Sequence, residues 1–152
     1  MNLIDVNNIK NFLNQTLLHF ACENTDIKLC KYLLNYGADC LIEDNYRQTP
    51  FTLAAKSNCI ELIIMFSESI NNRYLDTQIN FNEINASSSK SMRFFFSQIR
   101  KALYHACECG YIEIIKYIFE KFMLKSDDLF DYFEFKTMVN ILFISTENVK
   151  IK

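Results

Sequence analysis

Apolar and polar positions recur at helical spacing in short bursts along this chain, and the clearest burst opens at Thr16. Leu17, Leu18, Phe20 and Ala21 fall at spacings that place them on one face of a short helix. Thr16 stands immediately ahead of them, where its hydroxyl can take up a free backbone N–H. Glu23-Asn24-Thr25-Asp26 breaks the pattern with turn-prone polar residues. Ile27, Cys30, Leu33 and Leu34 resume it, with Asp26 placed to cap a second helix and Lys28 and Lys31 on its wet side. Gly37 follows the last apolar pair, where a helix end needs a left-handed residue. Each helix is too short to survive alone in water, so the pair must stack on neighbours.

The pattern returns. Thr49 follows Thr16 by 33 residues, as Ala54 follows Ala21 and Ile60 follows Ile27. Pro50 takes the first helical position, where its missing N–H costs nothing. Leu53, Ala54, Ile60, Ile63 and Ile64 repeat the apolar positions, and Asn58 stands in the inter-helix turn, where it tolerates positive φ. In a third copy Ala106 and Ile112 follow Ala54 and Ile60 by 52 residues, so the register survives an insertion of 19. Gly110 fills its turn, and Ile112, Ile115, Ile118 and Phe119 form its second stripe. At its start Lys101 replaces threonine, Tyr104 takes the slot of His19 and His105 that of Phe20.

Thr16-Leu17-Leu18-His19, Ala21-Cys22 and Gly37-Ala38-Asp39, the fullest copy of a pattern that recurs imperfectly with a period near 33, resemble an ankyrin repeat, a helix–turn–helix followed by a β-turn. The resemblance covers roughly residues 15–66 and 101–122. It implies an all-α ankyrin-repeat solenoid, a single domain of about three repeats with a degenerate N-terminal unit and a helical C-terminal cap. The expected divisions are 1–15 for the N-terminal unit, 16–48 and 49–70 for two repeats, 71–100 for an inserted loop and helix, 101–122 for the third repeat, and 123–152 for the cap and tail. Asn2-Leu3-Ile4-Asp5 is similar to the later Cys40-Leu41-Ile42-Glu43, and Ile9, Phe12 and Leu13 are expected to form one amphipathic turn over the open end. In the insertion Ser91 is placed to cap a helix from Met92 to Arg100, whose Phe94, Phe95 and Phe96 are expected to pack on both the stack and the loop. An exposed aromatic anchor for a partner is the competing role for those three. Ser126-Asp127-Asp128 reads as the start of a capping helix.

The resemblance also implies the function: noncatalytic binding of a protein partner, as adaptor or inhibitor, through the β-turn tips and the concave face. Carried onto this sequence, the tip positions are Asn45, Tyr46, Arg47 and Gln48. The first-helix positions are Glu23 and Asn24, Lys56 and Ser57, and Glu108 and Cys109, with Tyr36 ahead of the helix-ending glycine. Tyr46, Arg47 and Tyr36 stand out because aromatic residues and arginine dominate interface energies. The competing role for Tyr46 is to cover the neighbouring turn.

Composition narrows the classes. Half of the 152 residues are apolar, enough for a sizeable core, and only 2 Gly and 1 Pro favour a helical chain. A net charge of −2 with interspersed signs offers no large basic face for nucleic acid. The longest apolar run, Met138 to Ile144, is broken by Asn140 and is far short of a membrane span. The N-terminus lacks the apolar core of a secretory signal. Six cysteines sit mostly within helical apolar patterns, the usage of small buried hydrophobes in a reducing compartment. An intracellular, cytoplasmic monomer is the expectation. Heavy use of Asn, Ile, Lys, Phe and Tyr reflects AT-rich coding, and an effector delivered to a host would work in the host cytoplasm.

No cofactor or metal is expected. His19 beside Cys22 could be drawn as a base and nucleophile, but the resemblance gives that histidine a structural role, bonding backbone groups of adjacent units. His105 with Cys107 and Cys109 lacks the second ligand pair of a zinc site. Phosphate-binding glycine loops and nucleophile elbows are absent from the sequence, which counts against an enzyme. A partnerless fragment of an expanded repeat family is the remaining alternative.

Overall fold

The computed structural model describes residues 5–75 and 90–123. Among these the regular structure is helical. It comprises α1 (Leu17–Glu23), α2 (Ile27–Asn35), α3 (Pro50–Lys56), α4 (Ile60–Leu75), α5 (Lys90–Cys109) and α6 (Ile112–Ile118), the last running into a π-helical turn (Phe119–Met123). The helices pair as α1 with α2, α3 with α4 and α5 with α6, and the first helices stack, α1 on α3 and α3 on α5. The result is the expected all-helical stack. One core runs through it from Leu18, Cys22 and Leu33, by way of Phe51, Leu62 and Phe66, to Phe95, Leu103 and Ile114.

Local chemistry sets the hairpins. The Asp26 carboxylate accepts the Leu29 N–H at 3.0 Å and caps α2. Thr49 and Thr52 cap α3 reciprocally, each hydroxyl accepting the other's backbone N–H, at 3.2 and 2.9 Å. Thr25, Asn58 and Gly110 occupy the same place in the three inter-helix turns, with φ of 52°, 53° and 72°. Only glycine reaches that region without steric cost, and a β-branched threonine pays most.

The helix ends differ from the sequence expectation where stop signals are missing. Gly37, at φ 83°, ends the first hairpin's second helix. Ile70 stands 33 residues later, buried and helical, so α4 runs on to Leu75 across the expected boundary at 70. Nothing breaks the chain at Lys101 either. The helix expected from Met92 to Arg100 and the first helix of the third repeat are one 20-residue helix, and Ser91 lies inside it instead of capping it.

The apolar faces also need correction. α1 buries Leu18, His19, Ala21 and Cys22, while Leu17 and Phe20 stay 42 % and 61 % exposed. The equivalent Pro50 and Leu53 are buried, because α3 lies between two first helices whereas α1 has one such neighbour among the described residues. Phe94, Phe95 and Phe96 all meet the core of the stack, and Phe95 contacts Phe122 edge-on at 5.7 Å. The amphipathic turn expected at Ile9, Phe12 and Leu13 is instead a loop closed by an antiparallel bridge between Lys10 and Thr16, with Phe12 89 % exposed. Asn11 Oδ1 accepts the N–H groups of Leu13 and Gln15, both at 2.9 Å, and this local bonding outcompetes a helical turn.

The expectations for Asn2 to Ile4, the middle of the insertion, the capping helix from Ser126 and the Met138–Ile144 run fall outside the described residues.

Candidate functional site

The tip between the first two hairpins is built on one buried carboxylate. Asp44 Oδ1 accepts the backbone N–H groups of Tyr46 at 2.8 Å and Gln48 at 2.9 Å, while the Asp44 N–H donates to the Gln48 carbonyl at 2.9 Å. The loop closes with Arg47 at φ 57°. Asn11, 33 residues earlier, makes the equivalent bonds in the preceding tip, and Asn14 there has φ 64°. Asn45 joins the two tips, its N–H donating to the Leu13 carbonyl at 3.0 Å. With its backbone fixed, the second tip holds Tyr46 outward, 65 % exposed.

α5 is clamped to the base of this tip. Lys101 Nζ donates to Glu43 Oε1 at 3.0 Å and to the Arg47 carbonyl at 3.2 Å. The buried Gln98 donates its Nε2–H to the same Glu43 oxygen at 3.1 Å. His19 ties the tip from the other side. Its Nδ1 accepts the Thr16 N–H at 3.0 Å, so Nε2 carries the hydrogen that meets the Gln48 carbonyl at 3.2 Å. Burial pushes the His19 pKa below its ordinary 6.5, against the opposing effect of the Gln48 bond.

Between the tip, α3 and α5 lies a groove of about 660 Å³. Tyr46, Arg47 and Gln48 line it from the tip, Thr52 and Lys56 from α3, and Arg100, Lys101, Tyr104, His105 and Glu108 from α5. Tyr104 is 56 % exposed. Its phenol pKa is raised by a hydrogen bond to Glu108, whose carboxylate also lies 3.4 Å from His105 Nδ1.

A family model described as ankyrin repeats (3 copies) matches residues 2–77, half of the chain. The chain belongs to the ankyrin repeat family. It is similar to an ankyrin repeat protein of Acanthamoeba polyphaga mimivirus, with 39 % identity over 59 residues. That match covers 39 % of this chain and 8 % of the viral protein's length.

In this ankyrin stack the groove gathers five of the anticipated positions: Tyr46, Arg47, Gln48, Lys56 and Glu108. The others lie outside its lining. Asn45 bonds the preceding tip, and Ser57 donates its hydroxyl to the Leu53 carbonyl at 3.0 Å. Glu23 accepts from Gln15 at 2.9 Å, and Asn24 donates to the Phe20 carbonyl at 2.8 Å. Tyr36 pairs with Tyr32, their ring centroids 4.6 Å apart. Sequence reasoning missed Thr52, Arg100, Lys101, Tyr104 and His105 as groove residues. The signal for the α5 residues was their helical spacing through the expected boundary at 100. Asp44 was legible as an Asx-turn aspartate two residues ahead of Tyr46.

Cys107 is buried, its thiol pushed up to about 11 by burial, while Cys109 is exposed and His105 turns to Glu108. Among the described residues no group of three or more His, Cys, Asp or Glu side chains could hold a metal ion. Nor is any helix there long and apolar enough to cross a membrane.

Proposed function

We propose that this ankyrin chain is a noncatalytic binding module that docks a protein partner, as an adaptor or an inhibitor, in the groove between the Asp44–Gln48 tip and α5. The observation that supports this reading is the convergence of two exposed tyrosines, Tyr46 and Tyr104, on one concavity bounded by fixed backbone. Rigid aromatic side chains on a prebuilt scaffold bury area with little ordering cost. Cys22, Cys30, Cys40 and Cys107, buried as small apolar groups, suit a reducing, intracellular setting.

The test is capture from source lysate with the wild-type chain beside a Tyr46→Ala/Tyr104→Ala variant and a Tyr32→Ala/Tyr36→Ala variant, all with matching circular dichroism. The reading expects a partner retained by wild type and by the Tyr32/Tyr36 variant, and lost by the groove variant. Equal retention by all three moves the site off the groove. Retention of nothing by a folded wild type favours the partnerless fragment.

A further inference from the structure

Resting on the reading that this groove is the docking face, we infer that its occupant is an extended acidic segment of a partner protein, with carboxylates set beside an aromatic or apolar residue. The charge distribution carries this. Across the chain Asp and Glu outnumber Lys and Arg, 18 to 16. The groove inverts that balance: Arg47, Lys56, Arg100 and Lys101 line it against the single carboxylate of Glu108. Adding Glu43, which neutralises Lys101 from beneath, and the buried Asp44 of the tip still leaves four cations against three carboxylates, within an acidic chain.

The geometry suits carboxylates in particular. Lys101 is held in place by Glu43 and the Arg47 carbonyl, which use two of the ammonium's three N–H groups and leave one for a ligand. Such a cation is already ordered, so pairing costs less side-chain entropy. Among the described residues the Lys56 ammonium makes no ion pair or hydrogen bond. It stands at the position that Glu23 holds in the first repeat and Glu108 in the third, so the second repeat alone places a cation there. The one carboxylate in the lining, Glu108, is turned toward its own helix, where it lies 3.4 Å from His105 Nδ1. Tyr46 and Tyr104 supply flat faces for the apolar residue.

The experiment is fluorescence anisotropy of the full chain with four labelled probes. These are a peptide of repeating Glu-Asp-Phe, its Gln-Asn-Phe and Lys-Lys-Phe counterparts, and single-stranded oligothymidylate. Variants are Arg47→Glu/Lys56→Glu, Glu108→Gln and Tyr46→Ala, each checked by thermal melting. The acidic peptide is expected to bind roughly tenfold more tightly than the neutral one and to lose roughly tenfold on the double charge reversal. Its binding should weaken as salt rises from about 50 to about 300 mM and tighten severalfold in Glu108→Gln. If the neutral or basic peptide binds as well as the acidic one and Tyr46→Ala weakens it, the acidic preference is overturned while the groove reading stands. If the oligonucleotide binds more tightly than the acidic peptide, the occupant is a nucleic acid and the inference is overturned. If no probe responds to Tyr46→Ala or to the charge reversal, the groove reading falls with it.

Discussion

His19 of the first repeat donates from Nε2 to the backbone carbonyl of Gln48, 3.2 Å away, at the base of the tip that carries Tyr46. The bond makes a buried imidazole a tie between the first repeat's helix and the tip that leads into the second. His19→Ala would leave the Gln48 carbonyl and the Thr16 N–H without their partner. The expected loss is about 2 kcal/mol in urea unfolding. The pH dependence follows from the lowered pKa. Well above 6.5 the ring is neutral in both states and its bonds are fully present. As pH falls below 6.5 the unfolded chain binds the proton first, so stability declines until pH passes the folded-state value. Urea midpoints should therefore fall between about pH 7.5 and 5 by more in wild type than in His19→Gln. Parallel curves would mean that His19 is not the group responsible.

Thr25 carries strain that Gly110 avoids and Asn58 bears more easily. It sits at φ 52° in the turn where the third repeat has Gly110. For an L-residue the left-handed region costs roughly 1–2 kcal/mol, partly offset in glycine by chain entropy. Thr25→Gly should stabilise the chain by about 1 kcal/mol, and Thr25→Asn by less. Thermal melting is the check, and a lower melting temperature for the glycine variant would refute the strain.

Asp44 shapes the tip without touching a partner itself. Asp44→Ala removes both acceptor bonds to the Tyr46 and Gln48 N–H groups. A cost of roughly 1–3 kcal/mol is expected. Hydrogen exchange of the Tyr46 and Gln48 amides should accelerate well beyond that of the helical core. Asp44→Asn, which keeps an acceptor, should restore most of the protection. Unchanged amide protection in Asp44→Ala would show that the carboxylate does not order the tip.

Glu43 and Lys101 form one ion pair, yet the two truncations should differ. The pair is partly exposed, and such pairs contribute about 0.5 kcal/mol. Lys101→Ala should cost about that much. Glu43→Ala also strips the buried Gln98 Nε2 of its 3.1 Å acceptor, so roughly 1–3 kcal/mol is expected. Equal costs in chemical denaturation would argue that Gln98 finds another partner.

The chain by itself determined the repeating unit. Threonine ahead of a short apolar helix, a polar turn and a second helix recur at 33 residues, the first copy closed by Gly37, and each is a local signal whose chemistry acts within a few residues. The Asp26 cap, the Thr49–Pro50 helix start and the left-handed turn at Asn58 are legible for that reason.

Tertiary structure decided the rest. Leu17 and Leu18 are equally apolar neighbours, and only the direction of stacking leaves the first exposed and the second buried. The extent of α4 and α5 depended on stop signals that are missing at Ile70 and Lys101, where packing carries the helices onward. The groove joins residues far apart in sequence. Tyr46 and Tyr104 face one concavity because Glu43 holds both Gln98 and Lys101. Such long-range bonds have no periodic trace in a chain, so the repeats could be read from sequence while the cationic groove between them could not.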